Sequence, residues 1–175
     1  MSIETERLIL VPYTAGQLLA LIEEPERFEE LSGYPAAVGL REFLVSGEVS
    51  PEWIARLRSG NATSPWGLGF GVVDKETKAV VGTTGFKGPP DASGVVEIAY
   101  GIVPSFEGRG YATEAAKALV DFAFGTGEVK QVIAHTLPVA NASTTVLGRC
   151  GFEFVSDVID PEDGLVWRWQ RWPNG

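Results

Sequence analysis

Gly108, Arg109 and Gly110 stand where an apolar, β-branched run, Val95 to Val103, gives way to an alanine-rich helical pattern. Glycines at such a turn let main-chain N–H groups approach a ligand closely, and the first turn of a helix adds unpaired N–H groups and the positive end of its dipole. One anionic group, phosphate above all, can be held there by backbone alone. The same two glycines also suit a plain tight turn between strand and helix, and the local pattern leaves both readings open. A dinucleotide turn fits less well, because Thr113 occupies the place of the third glycine and Glu128 precedes its strand instead of ending it. The glycine-lysine pair of a P-loop is missing as well.

His135 is the only histidine and Cys150 the only cysteine in 175 residues. A disulfide framework, a Cys/His zinc site and most Cys/His nucleophilic arrangements are thereby excluded, and no metal is expected. Acid–base chemistry then falls on carboxylates, hydroxyls or water. A lone histidine in VIAHTLP suits a packed residue with one backbone hydrogen bond better than a catalytic one, although imidazole titrates near neutral pH. Cys150 reads as a small buried hydrophobe beside Gly151 and Phe152. Trp167, Trp169 and Trp172 fit a half-buried strand better than a ligand cage.

These residues need a scaffold, and the pattern along the chain supplies one. Leu8 to Val11 predict a first strand. Thr14 to Ser59 carry helical periodicity broken by Pro25, Gly33, Pro35, Gly47 and Pro51, which predicts several short helices. Gly67 to Val73, Ala79 to Lys87 and Val95 to Val103 predict an antiparallel meander with turns at Asp74 to Thr77 and Gly88 to Gly94. A helix over Arg109 to Phe124 follows, with Ala112, Ala115, Ala116, Leu119, Val120 and Ala123 on one face and Gly125 and Gly127 as stops. Then come a strand at Gln131 to Thr136, a short helix near Ser143 to Cys150, and strands at Phe152 to Ile159 and Val166 to Trp172.

With 45% hydrophobic and 21% charged residues, one domain with a full core is expected. A net charge of −9 argues against nucleic acid or an anionic membrane as partner, and favours cationic or neutral substrates. The acidic stretches Glu23 to Glu30 and Asp157 to Asp163 read as solvated faces that a substrate amine could also use. The first ten residues lack the basic-then-apolar pattern of a signal peptide, and no run of about 18 apolar residues occurs, so a soluble cytoplasmic protein is expected.

TERLILVPY, EIAYGIVP, the glycine turn EGRGYA and HTLPVANASTTVLGRCGF resemble, over nearly the whole chain, the GNAT superfamily of acyl-CoA-dependent N-acyltransferases. Within it they look like the branch that acetylates ribosomal-protein N-termini and assorted small amines. The resemblance implies a single α+β domain with a mixed, mostly antiparallel split sheet of about seven strands flanked by helices. It implies acetyl-CoA as cosubstrate, without metal, and a primary amine as acceptor, either a protein N-terminus or a small molecule. Pairing of two copies through an edge strand is a further option.

By the same resemblance, Glu107 to Ala112 match the family loop Gln/Arg-x-x-Gly-x-Gly/Ala that surrounds the cofactor diphosphate with backbone amides. Gly110 and Ala112 match, whereas Glu107 replaces the usual Gln or Arg. Gly108, Arg109, Gly110, Tyr111, Ala112 and Thr113 would then hold the diphosphate, and Ile102 and Val103 would pair with the pantetheine amides. Glu97 takes the place of the family's general base, directly or through water, against the plainer reading of a solvated strand carboxylate. The amine would attack the thioester carbonyl while a strand N–H holds the oxyanion and the thiolate leaves. Leu147 stands where many members have an acidic tyrosine, so Ser143 is the candidate acid or thiolate partner, or else a helix cap. Asn141 contacts pantetheine or caps the same helix. A catalytically weak acyl-CoA-binding sensor is the alternative that Glu107 and Leu147 favour.

Overall fold

The computed structural model describes residues 1–46, 50–60 and 65–173. Two short strands open the chain, β1 (Ile3–Glu4) and β2 (Leu8–Pro12). Four short helices follow: α1 (Ala15–Glu23), α2 (Phe28–Ser32), α3 (Leu40–Ser46) and α4 (Pro51–Ser59). Local chemistry sets their limits. Thr14 and Gln17 form a capping box ahead of α1, the Ser50 hydroxyl accepts from the Trp53 amide ahead of α4, and Gly33 and Gly60 end α2 and α4 in the left-handed conformation. Gly47, one of the expected breaks, lies outside the described residues.

The meander forms as expected: β3 (Phe70–Asp74), β4 (Val80–Phe86) and β5 (Val95–Ile102) pair antiparallel in sequence. After it come α5 (Tyr111–Gly125), β6 (Gln131–Thr136), α6 (Ala142–Arg149), β7 (Glu153–Asp160) and β8 (Gly164–Arg171). The fold is α+β, with a sheet order β1-β2-β3-β4-β5-β6-β8-β7 in which only β5 and β6 run parallel. Eight strands are present among the described residues, where the sequence predicts about seven. The addition is β1, which at two residues is too short to show alternation. No helix among the described residues is long and apolar enough to cross a membrane.

The core lies where α5 meets the sheet. Ala115, Ala116 and Ala123 of α5 are buried beside Leu119 and Val120, and their small side chains let the helix axis approach Val96, Ile98 and Val132 closely. Burying a side chain the size of Leu119 contributes about 1.5–3 kcal/mol. Asp74, expected in a turn, instead ends β3 inside the protein at 1% exposure.

β5 is where the sheet splits. Its first residues, Val95 to Glu97, pair with Gln131 to Ile133 of β6, while Ile98 to Ile102 pair with Phe86 to Gly82 of β4. Beyond Glu97 and Ile133 the two parallel strands part, and β6 continues against β8 alone. A fork opens between them. The peptide groups of Glu97 and Val103 are spent on β4, since Lys87 N–H donates to the Glu97 carbonyl at 2.9 Å and Val103 N–H to Val81 at 2.8 Å. Antiparallel alternation then turns the peptide groups of Tyr100 and Ile102 the other way, toward the fork.

Candidate active site

The glycine loop is built as a cradle. After β5 a single 3-10 turn, Pro104–Phe106, leads to an extended Glu107, and Gly108 and Gly110 follow at φ +78° and +81°. Gly110 starts α5 without any side-chain cap, and the first intrahelical bond runs from Glu114 N–H to its carbonyl at 3.1 Å. The amides of Tyr111, Ala112 and Thr113 therefore precede the helical ladder and have no acceptor within it. A Cβ on Gly108 would meet nothing within 4 Å, so the turn is open at that glycine. Among the described residues, the Thr113 hydroxyl is the single buried side-chain polar atom lacking a partner. Open space and uncapped amides fit a diphosphate.

Two staples hold this cradle from behind. Arg7, just before β2, gives its Nη1 to the Arg109 carbonyl and its Nε to the Glu114 carboxylate, both at 2.8 Å. Its guanidinium also lies 4.6 Å from the centre of the Tyr111 ring. Burial would raise the Glu114 carboxyl, but hydrogen bonds from Thr5 and from the Arg7 amide and guanidinium, with the Arg7 charge, bring it below the usual carboxylate range. The second staple is the Tyr111 hydroxyl, which donates to Asp74 Oδ1 at 2.9 Å inside the protein. Burial pushes Asp74 up, yet bonds from Thr77, Tyr111 and the Glu76 and Thr77 amides leave it below its ordinary value. Tyr111 is raised, by burial first and then by the Asp74 bond and charge.

The residues expected at the cofactor are placed as follows by their own contacts. The Tyr111 side chain points into the core, which leaves only its amide for a ligand. Arg109 lies over the Phe106 ring at 4.7 Å. Val103 has both peptide groups committed, its N–H to Val81 and its carbonyl to Phe106, so of the two strand residues expected to pair with pantetheine only Ile102 faces the fork. Asn141 caps α6: its side chain accepts from the Thr144 amide at 3.0 Å in a capping box. Ser143 is therefore not the cap. It is half-buried in the first turn of α6, where its carbonyl accepts the Tyr100 hydroxyl at 3.1 Å. Leu147 is fully buried in the core.

Glu97 is not a solvated carboxylate. His135 Nδ1 lies 3.0 Å and Lys87 Nζ 3.3 Å from its Oε2. These partners escaped the sequence, because Lys87 arrives through the β4–β5 register and His135 through the parallel pairing with β6. Alternation places Glu97, Gly101 and His135 on one face of the sheet, and Tyr100 with α6 on the other. On the Glu97 face a Cβ at Gly101 would fall 1.9 Å from the Phe43 ring, so α3 lies directly over the fork. The arrangement presents a carboxylate paired with Lys87 and His135 on one face and a tyrosine hydroxyl bonded to the start of α6 on the other.

Residues 7–153 match the family described as acetyltransferase (GNAT) domain. An uncharacterized N-acetyltransferase of Bacillus subtilis, YjdG, is 33% identical over 81 residues, 46% of this chain and 48% of that protein. An FsC-acetyl coenzyme A-N(2)-transacetylase of Aspergillus fumigatus is 33% identical over 67 residues, 38% of this chain and 28% of that protein. The matched stretch spans about half or less of these curated relatives. In structure, the RimL ribosomal-protein acetyltransferase in complex with coenzyme A superposes with a TM-score of 0.70 at 15% identity over 98% of both chains. A putative ribosomal-protein-serine acetyltransferase of Vibrio cholerae gives 0.67 at 21% identity, covering 99% of this chain and 98% of that one.

Proposed function

This chain belongs to the GNAT acetyltransferase domain family, and from that premise we propose that it moves the acetyl group of acetyl-coenzyme A onto a primary amine. The observation that carries this reading is a fork in the sheet beside an uncapped helix start, with the Glu97 carboxylate at its base. Coenzyme A, when bound, supplies the acetyl group as a sulfur ester whose thiol, near pKa 8.5 for an ordinary thiol, leaves readily. The amides from Gly108 to Thr113 hold its diphosphate, Arg109 adds charge at the rim, and the Ile102 peptide group pairs with the pantetheine arm beside Asn141. Amines of pKa about 7.7–10.4 arrive protonated, and removal of that proton is the task of Glu97, alone or through a neighbour. A β5 amide holds the negative charge that develops on the carbonyl oxygen, and Ser143 serves the leaving thiolate.

The acceptor is a protein N-terminal amine or a small-molecule amine. The structural likeness to ribosomal-protein acetyltransferases supports placing N-terminal peptides first in a panel. β7, the sheet edge, exposes Phe154, Val155 and Ile159, which supports pairing of two copies. The test is free-thiol release from acetyl-coenzyme A across the amine panel, with calorimetry for coenzyme A binding. Glu97→Gln should lower turnover by about 10²–10⁴-fold at unchanged coenzyme affinity. Binding without thiol release from any amine would instead support the sensor that Leu147 favours, and absence of binding would remove both.

A further inference from the structure

The group beside Glu97 is the only histidine in the chain. Glu97 pairs with Ile133, so His135 lies two residues further along β6, on the same face and on the side where the fork opens. Its Nδ1 is 3.0 Å from Glu97 Oε2, with side-chain exposures of 19% and 21% for the two residues. Lys87 Nζ lies 3.3 Å from the same oxygen and completes an ion pair with it. An anionic carboxylate can only accept, so the bond fixes the imidazole with its proton on Nδ1 and leaves Nε2 with a free lone pair.

Resting on the acetyl-transfer reading above, we propose that His135 Nε2 is the atom that takes the proton from the acceptor amine. Glu97 is then the positioning residue that orients the ring and balances its charge. An ordinary imidazole titrates near 6.5 and an ordinary carboxylate near 4.3, so the ring is the better match to an amine by about 2 pK units. In the balanced step the ammonium loses one proton to Nε2 and its nitrogen forms the C–N bond. The C–S bond breaks with its electron pair on sulfur, and the second amine proton ends on the thiolate, leaving amide, thiol and one proton released from the ring to water. Other charged groups facing the ring among the described residues are Arg168, opposite His135 on β8, and Asp160 at the end of β7. The Asp163 and Glu162 amides, then the His135 and Lys87 charges, hold Asp160 below its ordinary value.

Because there is one histidine, its ¹⁵N signals are unambiguous. In the unmodified protein at pH 8, Nδ1 should be protonated and Nε2 bare, and Glu97→Gln should change that balance; an Nε2–H tautomer overturns the proposal. His135→Ala should lose about 10²-fold in thiol release at unchanged coenzyme A affinity. Added imidazole should restore part of the loss, and the rising limb of the pH–rate profile should vanish. Full turnover in His135→Ala, or a loss that imidazole and pH leave untouched, assigns the proton to Glu97 itself and overturns the relay while sparing acetyl transfer. If His135→Ala does not fold, His135→Gln carries the same pH comparison. No thiol release from the unmodified protein overturns the parent reading, and the relay with it.

Discussion

Tyr111→Phe separates a residue that touches the cofactor from one that builds the place where it binds. The change removes one oxygen and keeps the ring, so the Arg7 guanidinium 4.6 Å above it is undisturbed. What disappears is the 2.9 Å donation to Asp74, a buried carboxylate. A hydrogen bond to a charged group contributes about 1.5–3 kcal/mol. Asp74 retains the Thr77 hydroxyl at 2.9 Å and the longer Thr77 and Glu76 amides at 3.3 and 3.4 Å, which favours the lower half of that range. A loss of about 1.5–2 kcal/mol lowers the midpoint of a chain this size by about 3–8 °C. The pH dependence has a definite sign. Asp74 titrates lower when folded than when unfolded, so its bonds stabilise fully above the unfolded value near 3.9 and lose their effect as pH falls through the folded one. Thermal melts of variant and parent should therefore differ most at pH 7 and begin to converge only as the pH falls below about 4. Calorimetry should find coenzyme A affinity within about threefold, because a packing residue adds only a small ordering term to binding. Unchanged stability together with a tenfold loss of affinity would place the hydroxyl at the ligand and refute the inward reading.

Arg7→Ala removes the bond to the Arg109 carbonyl and one partner of Glu114, so the cradle loosens from behind. Its half-exposed ion pair contributes about 0.5 kcal/mol and the carbonyl bond about 1 kcal/mol, which predicts a three- to tenfold weaker coenzyme A Kd by calorimetry. An unchanged Kd would show that the loop stands without its staple. At the alkaline end, burial raises Tyr13 to about 12 and also lifts Tyr100 and Tyr111. Their stabilising effect is complete below the unfolded value of about 10 and is lost as pH climbs toward the folded ones. The melting midpoint should fall steeply above pH 10, and a flat profile to pH 12 would contradict the burial of these hydroxyls.

Local rules made much of this protein readable in advance. The glycine loop, α5 with its alanine face, the meander and the short helices each follow from spacing within a few residues, because backbone sterics and amphipathic periodicity act over a turn or two of chain. Ser143 and Asn141 show the limit of that reach. Both are good caps by residue type, and only the observed backbone assigns the cap to Asn141 and leaves Ser143 beside Tyr100.

The amino-acid order by itself determined where the strands, the long helix and the glycine turn would form, since each depends on neighbours close along the chain. The folded structure alone decided that Tyr111 turns inward to Asp74, that Val103 is spent on β4, and that Glu97 meets Lys87 and His135. The reason is pairing between residues far apart in sequence: the β4–β5 register brings Lys87 and spends Val103, and the parallel pairing of β5 with β6 across α5 brings His135. A shift of one residue in that register would send His135 to the opposite face of the sheet and leave the carboxylate without its imidazole.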